Sequence, residues 1–335
     1  MSAPILSVLA PSPVFEGRTP RQALEEPRAL AVATDARGDR SYWVQEHHTT
    51  PGFAGTAPEI LIADLAARTR NLVIGSGGVL LPNYSPLKVA EQFMTLSALY
   101  PDRVELGIGR ATGADQRTSA ALLGPGPKAC PQMMRYLMDW LRDASGHTPM
   151  PDDHRAAGVR ANPGAALPDL WQLASSPESA AFAGAMGIKL AFADFLSAGP
   201  AMPAIAAYRQ AFKPSPFLEE PHAAIGLVAL AAETDEEARH LSRTSVAWNI
   251  GRASGQFLPF PTPSEADAAI ASATPGLLER ARGRSTVGAA ASVAERLSGY
   301  AKASHADELF VLTISETLEA RIKSYDLLAK AFAAA

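Results

Sequence analysis

The sequence has little cysteine and no long apolar run. Of its 335 residues, Cys130 is the single cysteine, so no disulfide can form within the chain. No stretch approaches the roughly 20 consecutive apolar residues that a membrane-spanning helix needs. Residues 1–11 lack the charged start and longer apolar core of a signal peptide. We therefore expect a cytoplasmic protein of a reducing compartment, without a membrane partner.

Charged residues are also sparse, and neither sign dominates. They make up 19% of the chain, and the formal net charge is −4 at pH 7. This balance argues against nucleic acid or an anionic membrane as a partner. Hydrophobic residues, at 47%, are numerous enough to fill a large core. Because α/β barrels of this length fold as one unit, we predict a single domain over residues 1–335.

Apolar, strand-like segments alternate with helix-like segments along most of the chain. The predicted strands are residues 5–10, 42–46, 71–81, 104–108, 171–174, 190–195, 223–231 and 308–314, each followed by helical sequence. Alternation of this kind favours a parallel sheet with both faces covered, and eight strand–helix pairs predict a closed (β/α)8 TIM barrel. Residues 251–304 are predicted to be an insertion between helix 7 and strand 8. Long insertions in this fold usually shape the mouth of the barrel.

The second predicted strand ends in ionisable side chains. Residues 41–48 read Ser-Tyr-Trp-Val-Gln-Glu-His-His. Barrels of this class present their chemistry at the carboxyl ends of strands, and an imidazole titrates near neutral pH. Adjacent strand residues face opposite sides, so His47 and His48 are not expected to line one site, and a metal site with Glu46 is disfavoured. From these residues alone a structural histidine is the favoured interpretation of His47, and we predict no metal site.

Three more strands end in residues suited to a flat, phosphorylated ligand. The third strand carries Gly75, Gly77 and Gly78, which lack the Cβ atoms that would keep a planar ring from the backbone. The fourth strand ends in Arg110. The fifth is followed by Ser175, Ser176 and Ser179, where Ser176 is a suitable N-cap for the next helix. A helix N-terminus beside hydroxyls and a guanidinium favours a phosphate. Taken singly, these features also fit a barrel corner, an ordinary cap and a surface ion pair.

In combination these motifs resemble the luciferase-like flavin-dependent monooxygenases, and the resemblance covers nearly the whole chain. It is carried by Tyr42-Trp43-Val44 through Glu46-His47-His48, Ala57-Pro58-Glu59, Ile74-Gly75-Ser76-Gly77-Gly78 with Leu81-Pro82, the run from Ser85 to Gln92, Gly107-Ile108-Gly109-Arg110, Ser175-Ser176 and Ser324-Tyr325-Asp326-Leu327-Leu328.

The resemblance implies an activity, a cofactor and partners. Such enzymes take reduced FMN from a separate NAD(P)H-dependent flavin reductase and react it with O₂ through a flavin hydroperoxide. The expected reaction is hydroxylation or epoxidation of a hydrophobic small molecule. The subgroup includes enzymes that tailor aromatic polyketides, so secondary metabolism is one expected setting. A homodimer is also implied.

The resemblance also implies roles for individual residues. It gives His47 the place of the catalytic histidine, and Gly77 with Gly78 the place of a non-proline cis peptide against the isoalloxazine. Phosphate-binding positions correspond to Arg110, Ser175, Ser176 and Ser179, a flavin contact to Thr112, and the wall of the substrate cavity to Trp248.

Several positions depart from the family pattern, and two other functions stay open. Ala10 and Pro11 in the first strand, and Asp194 and Phe195 in the sixth, are changes expected around the substrate pocket. One alternative is an F420-dependent hydride-transfer oxidoreductase. Such proteins also keep a histidine at this place, so His47 does not distinguish them from monooxygenases. The other is a non-catalytic flavin-binding subunit, which the four changes would suit.

Overall fold

The computed structural model describes residues 4–111, 113, 115–122, 124–150, 152–154 and 156–334. Within them the strands are β1 (Ile5–Ala10), β2 (Ser41–Val44), β3 (Val73–Leu80), β4 (Val104–Gly109), β5 (Asp169–Ala174), β6 (Lys189–Ala193), β7 (Ala223–Ala232), β8 (Thr286–Ala289) and β9 (Glu308–Leu312). The helices are α1 (Pro20–Arg37), α2 (Pro58–Ala66), α3 (Pro86–Leu99), α4 (Gln116–Leu122), α5 (Cys130–Ala144), α6 (Pro177–Met186), α7 (Ala201–Ala211), α8 (Asp235–Leu241), α9 (Arg243–Ala253), α10 (Pro263–Ser272), α11 (Pro275–Arg282), α12 (Ala290–Ser304) and α13 (Leu318–Ala333).

Eight parallel strands of the described chain close into a barrel, so the predicted TIM barrel is confirmed. The strands β1 to β7 pair in order, β7 pairs with β9, and β9 returns to β1. Val8, for example, stands opposite Tyr42 on one side and Val311 on the other. The ninth strand, β8, lies outside the ring and pairs with the carboxyl-terminal half of β7.

The strand residues alternate between two hydrophobic cores. In β2, Tyr42 and Val44 belong to the core between the barrel and its helices, whereas Trp43 points into the barrel. Inside, the Trp43 ring lies 3.9 Å from that of Phe310 and meets Trp171 edge-on at 5.1 Å. The barrel interior is therefore filled by large side chains, as small barrels of this type require.

Buried charges occupy the amino-terminal end of the barrel. Glu105 and Glu308 are fully buried. Arg40 lies 3.1 Å from the Glu105 carboxylate, and His222 lies 3.1 Å from that of Glu308. Because sites in this fold form at the opposite, carboxyl-terminal end, this network bears on stability rather than on ligand binding.

A long excursion separates β7 from α12. It contains α8 to α11 and β8, and it includes most of the predicted insertion at residues 251–304. After it, α12 rejoins the outer helix layer and packs against α7 and α13. Across the described ranges, no helix combines the length and the apolar character that crossing a membrane requires.

Candidate active site

His47 lies in the loop that follows β2, at the carboxyl-terminal mouth of the barrel. Its backbone N–H donates to the carbonyl of Gly55 at 2.9 Å. Its ring stacks on Phe53, with centroids 4.4 Å apart and an angle of 23° between the planes. The Nδ1 atom is buried and has no hydrogen-bond partner among the residues described. A buried ring nitrogen left without a partner is uncommon, and it marks His47 as able to receive a polar ligand.

The surroundings of His47 hold its ring neutral. Burial lowers the pKa of His47 to about 4, and the charges of Arg252 and His48 act in the same direction. At neutral pH the imidazole therefore carries one N–H donor and one acceptor nitrogen. Such a ring can hold or move a proton, which is the property that the catalytic assignment requires.

Glu46 and His48 brace this loop. His48 Nε2 lies 2.7 Å from Glu46 Oε1. The Glu46 carboxylate also accepts from the hydroxyl of Tyr84 at 2.8 Å and from the backbone N–H of Leu80 at 2.9 Å. These bonds join the ends of β2 and β3 through Glu46, and His48 is one of its three partners.

Three chain segments meet over the barrel mouth. The first two are the loops after β1 and β2, which are joined by a hydrogen bond from the N–H of Ala54 to the carbonyl of Ser12 at 2.9 Å. The third segment joins through Phe260, whose N–H donates to the carbonyl of Val14 at 2.8 Å. The loops after β1 and β2 and the excursion after α9 are thus tied together by backbone hydrogen bonds, and they fix the walls around His47.

The walls are aromatic. The Phe53 ring meets those of Trp248 and Phe260 edge-on, at 5.3 and 5.5 Å. Trp248 and Phe260 stack on each other at 4.6 Å. The indole N–H of Trp248 donates to the carbonyl of Leu258 at 2.9 Å. The structure therefore brings Trp248, predicted to line the substrate cavity, into one cluster with the partner of His47.

The glycine run in β3 is explained first by packing. A Cβ on Gly75 would lie 2.5 Å from Nε1 of Trp43, and one on Gly77 would lie 2.9 Å from the same ring. A Cβ on Gly78 would meet the carbonyl of Gly107 at 2.6 Å. The missing Cβ atoms thus make room for Trp43 and β4, and the approach of a planar ligand to this strand stays a prediction. The peptide bond between Gly77 and Gly78 is cis, the geometry that the family resemblance implies at this place.

The predicted anion cradle lies at the ends of β4 and β5. Ser176 caps α6 and accepts from the N–H of Ser179 at 3.3 Å. Ser175 and Arg110 are exposed, and Ser179 is buried. Two hydrogen bonds lower the pKa of the Glu178 carboxyl, one from the Glu178 backbone N–H and one from the Ser176 side chain. The charge of Arg110 lowers this pKa to a smaller extent.

Because β4 and β5 are paired side by side, Arg110, after β4, and the start of α6, after β5, lie at the same edge of the barrel. Thr112, the predicted flavin contact, lies outside the described residues.

The four departures from the family pattern lie in different environments. Ala10 is buried in the outer core, and Pro11 is also buried. Phe195 packs against the aromatic cluster inside the barrel. Asp194 accepts from the hydroxyl of Tyr300 at 2.5 Å and pairs with Arg284 at 3.1 Å. Asp194 thus joins the end of β6 to α12 and to the segment before β8.

Sequence reasoning missed Phe53, Phe260 and Arg252. Phe53 follows a Pro-Gly turn directly after the histidines, so its position near them was a usable signal. Phe260 and Arg252 lie in a polar, Gly- and Pro-rich stretch far along the chain. Their approach to His47 depends on how the excursion folds back, which no local pattern reports.

Comparison with known sequences places this site in context. Residues 6–306 match the family model for luciferase-like monooxygenases. The protein YceB of Bacillus subtilis is 37% identical over 333 residues, covering 98% of this chain and 99% of that protein. A luciferase-like monooxygenase of Escherichia coli K12 is 35% identical over 329 residues, covering 96% and 95%. The N-acetyl-S-alkylcysteine monooxygenase of B. subtilis is 40% identical over 196 residues, 57% of each chain.

Solved structures agree on the fold. The crystal structure of apo-MsnO8 superposes with a TM-score of 0.89 at 35% identity, covering 98% of both chains. The oxygenating constituent of 3,6-diketocamphane monooxygenase, in complex with FMN, has a TM-score of 0.72 at 21% identity, covering 99% of this chain and 98% of that one. An F420-dependent secondary alcohol dehydrogenase has a TM-score of 0.64 at 17% identity, covering 99% of both. The last two similarities concern the barrel alone.

Proposed function

Because the chain belongs to the luciferase-like monooxygenase family, we propose that it is the oxygenase component of a two-component, FMN-dependent monooxygenase. One atom of O₂ enters a hydrophobic small molecule by hydroxylation or epoxidation, the other leaves as water, and reduced FMN is oxidised. A separate NAD(P)H-dependent reductase supplies the reduced FMN, and the oxygenase acts as a cytoplasmic homodimer.

The observation that carries this proposal is the buried, unpartnered Nδ1 of His47 at the barrel mouth. An isolated buried polar atom costs free energy unless a ligand satisfies it. The residues around it fit a flavin. The cis Gly77–Gly78 bond lies in β3, the strand next to β2, and Arg110 and the start of α6 follow β4 and β5 at the same end of the barrel.

Each part of the site has its own task. When bound, reduced FMN would supply the electrons that activate O₂. Arg110 and the hydroxyls of Ser175 and Ser176 would hold its phosphate, together with the N-terminus of α6. The neutral imidazole of His47 would hold or move a proton beside the reacting atoms. The aromatic walls would exclude water and orient an apolar substrate.

One relative bears on the substrate. The N-acetyl-S-alkylcysteine monooxygenase, whose name specifies an apolar S-alkyl group on an acidic molecule, shares 40% identity over 196 residues. Phe53, Trp248 and Phe260 provide the apolar surface that the S-alkyl group or a flat polyketide would need. The substrate class expected from the walls is therefore an organic molecule with an apolar body.

The first test is an anaerobic titration of the protein with reduced FMN and, separately, with reduced F420, followed by exposure to O₂. Tight binding of reduced FMN and its O₂-dependent reoxidation through a stabilised, spectrally distinct species are expected. Turnover with F420 without O₂ uptake would instead identify a hydride-transfer enzyme. Binding of FMN with only the reoxidation seen for free FMN would identify a non-catalytic flavin-binding subunit.

The second test is His47→Ala. Because the phosphate cradle is untouched, FMN affinity should stay within about two-fold of the wild type, whereas oxygenation falls by about 10²-fold or more, the usual loss for a proton-transfer group. His240→Ala, which removes an exposed histidine of α8, is the control and should leave both FMN affinity and oxygenation unchanged. Retained product formation in His47→Ala would contradict the catalytic role.

A further inference from the structure

Arg252 is a cation that lies against the aromatic wall of the candidate site. Arg252 lies in the last turn of α9 and is exposed. Its guanidinium carbon stands 4.9 Å from the ring centre of Trp248. In the described part of the chain, it forms no ion pair. The same helix carries a contrasting arginine, Arg243, which is paired with Glu316 at 3.4 Å and with Asp267 at 3.7 Å.

A continuous row of rings connects Arg252 with His47. The Arg252 guanidinium covers Trp248, the Trp248 ring meets Phe53 at 5.3 Å, and Phe53 stacks on His47 at 4.4 Å. The charge of Arg252 also contributes to the low pKa of His47. The positive charge is thus felt at the candidate catalytic ring, although the apolar row separates the two groups.

From this arrangement we propose that Arg252 binds a carboxylate of the substrate, while the apolar body of the substrate lies along Phe53 and Trp248 toward His47. The inference rests on the proposed function in taking the ligand to be the substrate. It narrows the substrate class from apolar molecules to apolar carboxylic acids, such as acylated S-alkyl amino acids. An unpaired guanidinium with a planar fork of donors suits a carboxylate, and its stacking on an indole restricts its orientation.

Other uses of Arg252 are less consistent with its surroundings. The cofactor phosphate has its own cradle, formed by Arg110 and the start of α6, on the edge between β4 and β5. Arg252 instead belongs to α9, whose Trp248 contacts the loop after β2. A cation placed there for solubility alone would not need to cover the aromatic wall of the site.

The test is a binding measurement with matched probes, and it requires no turnover. The affinities of N-acetyl-S-benzyl-L-cysteine and of its primary carboxamide are measured by calorimetry, with the protein saturated with oxidised FMN. The wild type should bind the acid about ten-fold more tightly than the amide, an ordinary value for one charge-assisted pair. Arg252→Gln should reduce this preference to about two-fold or less, and Arg252→Lys should keep part of it.

Arg280→Gln is the matched control, because Arg280 is an exposed arginine of α11 in the same excursion. It should leave the preference for the acid unchanged. A wild type without that preference, including one that binds neither probe, would overturn the proposal. So would Arg252→Gln with the full preference, or with a parallel loss of FMN affinity. This experiment measures binding and not oxygenation. The preference for the acid can therefore be determined even if the protein proves not to be a monooxygenase.

Discussion

The indole N–H of Trp43 donates a 2.6 Å hydrogen bond to the carboxylate of Glu105 inside the barrel. Both side chains are buried, and Arg40 approaches the other carboxylate oxygen at 3.1 Å. Burial raises the pKa of Glu105 to about 7, and the nearby charge of Glu308 acts in the same direction. The carboxyl group that orients Trp43 therefore stays protonated up to the neutral range.

This pairing makes stability depend on pH. Between the ordinary pKa of a glutamate, near 4.5, and about 7, the folded protein binds more protons at Glu105 than the unfolded chain does. The free energy of unfolding should therefore fall as pH rises through that window. Glu105→Gln removes this titration, so the variant should gain about 1–3 kcal/mol relative to the wild type between pH 5 and pH 8.

Urea unfolding at both pH values measures this change. Glu295→Gln, which removes an exposed glutamate from α12, should show no such relative gain. Wild-type and Glu105→Gln stabilities that run parallel across the window would contradict the assignment of the raised pKa to Glu105.

The Trp43 ring also explains why residue 75 is a glycine. A Cβ on Gly75 would lie 2.5 Å from Nε1 of Trp43 and 2.8 Å from Cβ of Glu105. Gly75→Ala should therefore lower the free energy of unfolding by about 1–3 kcal/mol, the usual effect of overpacking a core. Gly299→Ala is the control, because that glycine lies in α12 with open space around it. It should instead raise stability by up to about 1 kcal/mol. Chemical denaturation measures the free energy of unfolding of both variants. Equal changes in that free energy would show that the Trp43 ring moves aside without cost, and would contradict this explanation of Gly75.

The sequence was sufficient to predict the barrel, because the hydrophobic periodicity of strands and helices is a local property of the chain. It was also sufficient to predict the start of α6, since Ser176 and Pro177 mark a helix start by themselves. It did not reveal the bond between Trp43 and Glu105, which depends on the register between β2, β3 and β4. Nor did it reveal the contacts of Phe53, because the excursion that supplies Trp248 and Phe260 returns to the mouth only in three dimensions.

The stack of His47 on Phe53 predicts a measurable titration. With the folded pKa of His47 near 4 and the ordinary value near 6.5, the unfolded chain binds more protons between these values. His47 therefore opposes folding increasingly as pH falls through that window. Nitrogen NMR of the imidazole should give a midpoint near 4 in the wild type. Phe53→Ala admits water to the ring, so the midpoint should rise toward 6.5.

Phe257→Ala is the matched control, because Phe257 is an exposed phenylalanine of the excursion, between α9 and α10. Its effect on the His47 midpoint should be small. A wild-type midpoint already close to 6.5 would show that the ring is solvated, and a fraction of the His47 rings would then be protonated at neutral pH, contrary to the proposed function.

Two helix caps allow the phosphate cradle to be tested without confusing binding with folding. Ser176 caps α6, where the cradle lies, and Thr262 caps α10 in the excursion. Replacing either by alanine removes one hydrogen bond to a helix N–H and should cost about 0.5–2 kcal/mol of stability. Of the two caps, Ser176 alone is a candidate phosphate ligand. FMN affinity should therefore fall in Ser176→Ala and stay unchanged in Thr262→Ala.

Riboflavin, which lacks the phosphate, separates the remaining explanations. Quenching of flavin fluorescence gives both affinities. The ratio of FMN to riboflavin affinity should fall about ten-fold or more in Ser176→Ala, because one hydrogen bond to a charged group contributes about 1.5–3 kcal/mol. Arg110→Gln should lower the ratio further, because it removes a full charge. An equal loss for both flavins would mean that the cap only supports the local fold, and the phosphate would then have to bind elsewhere.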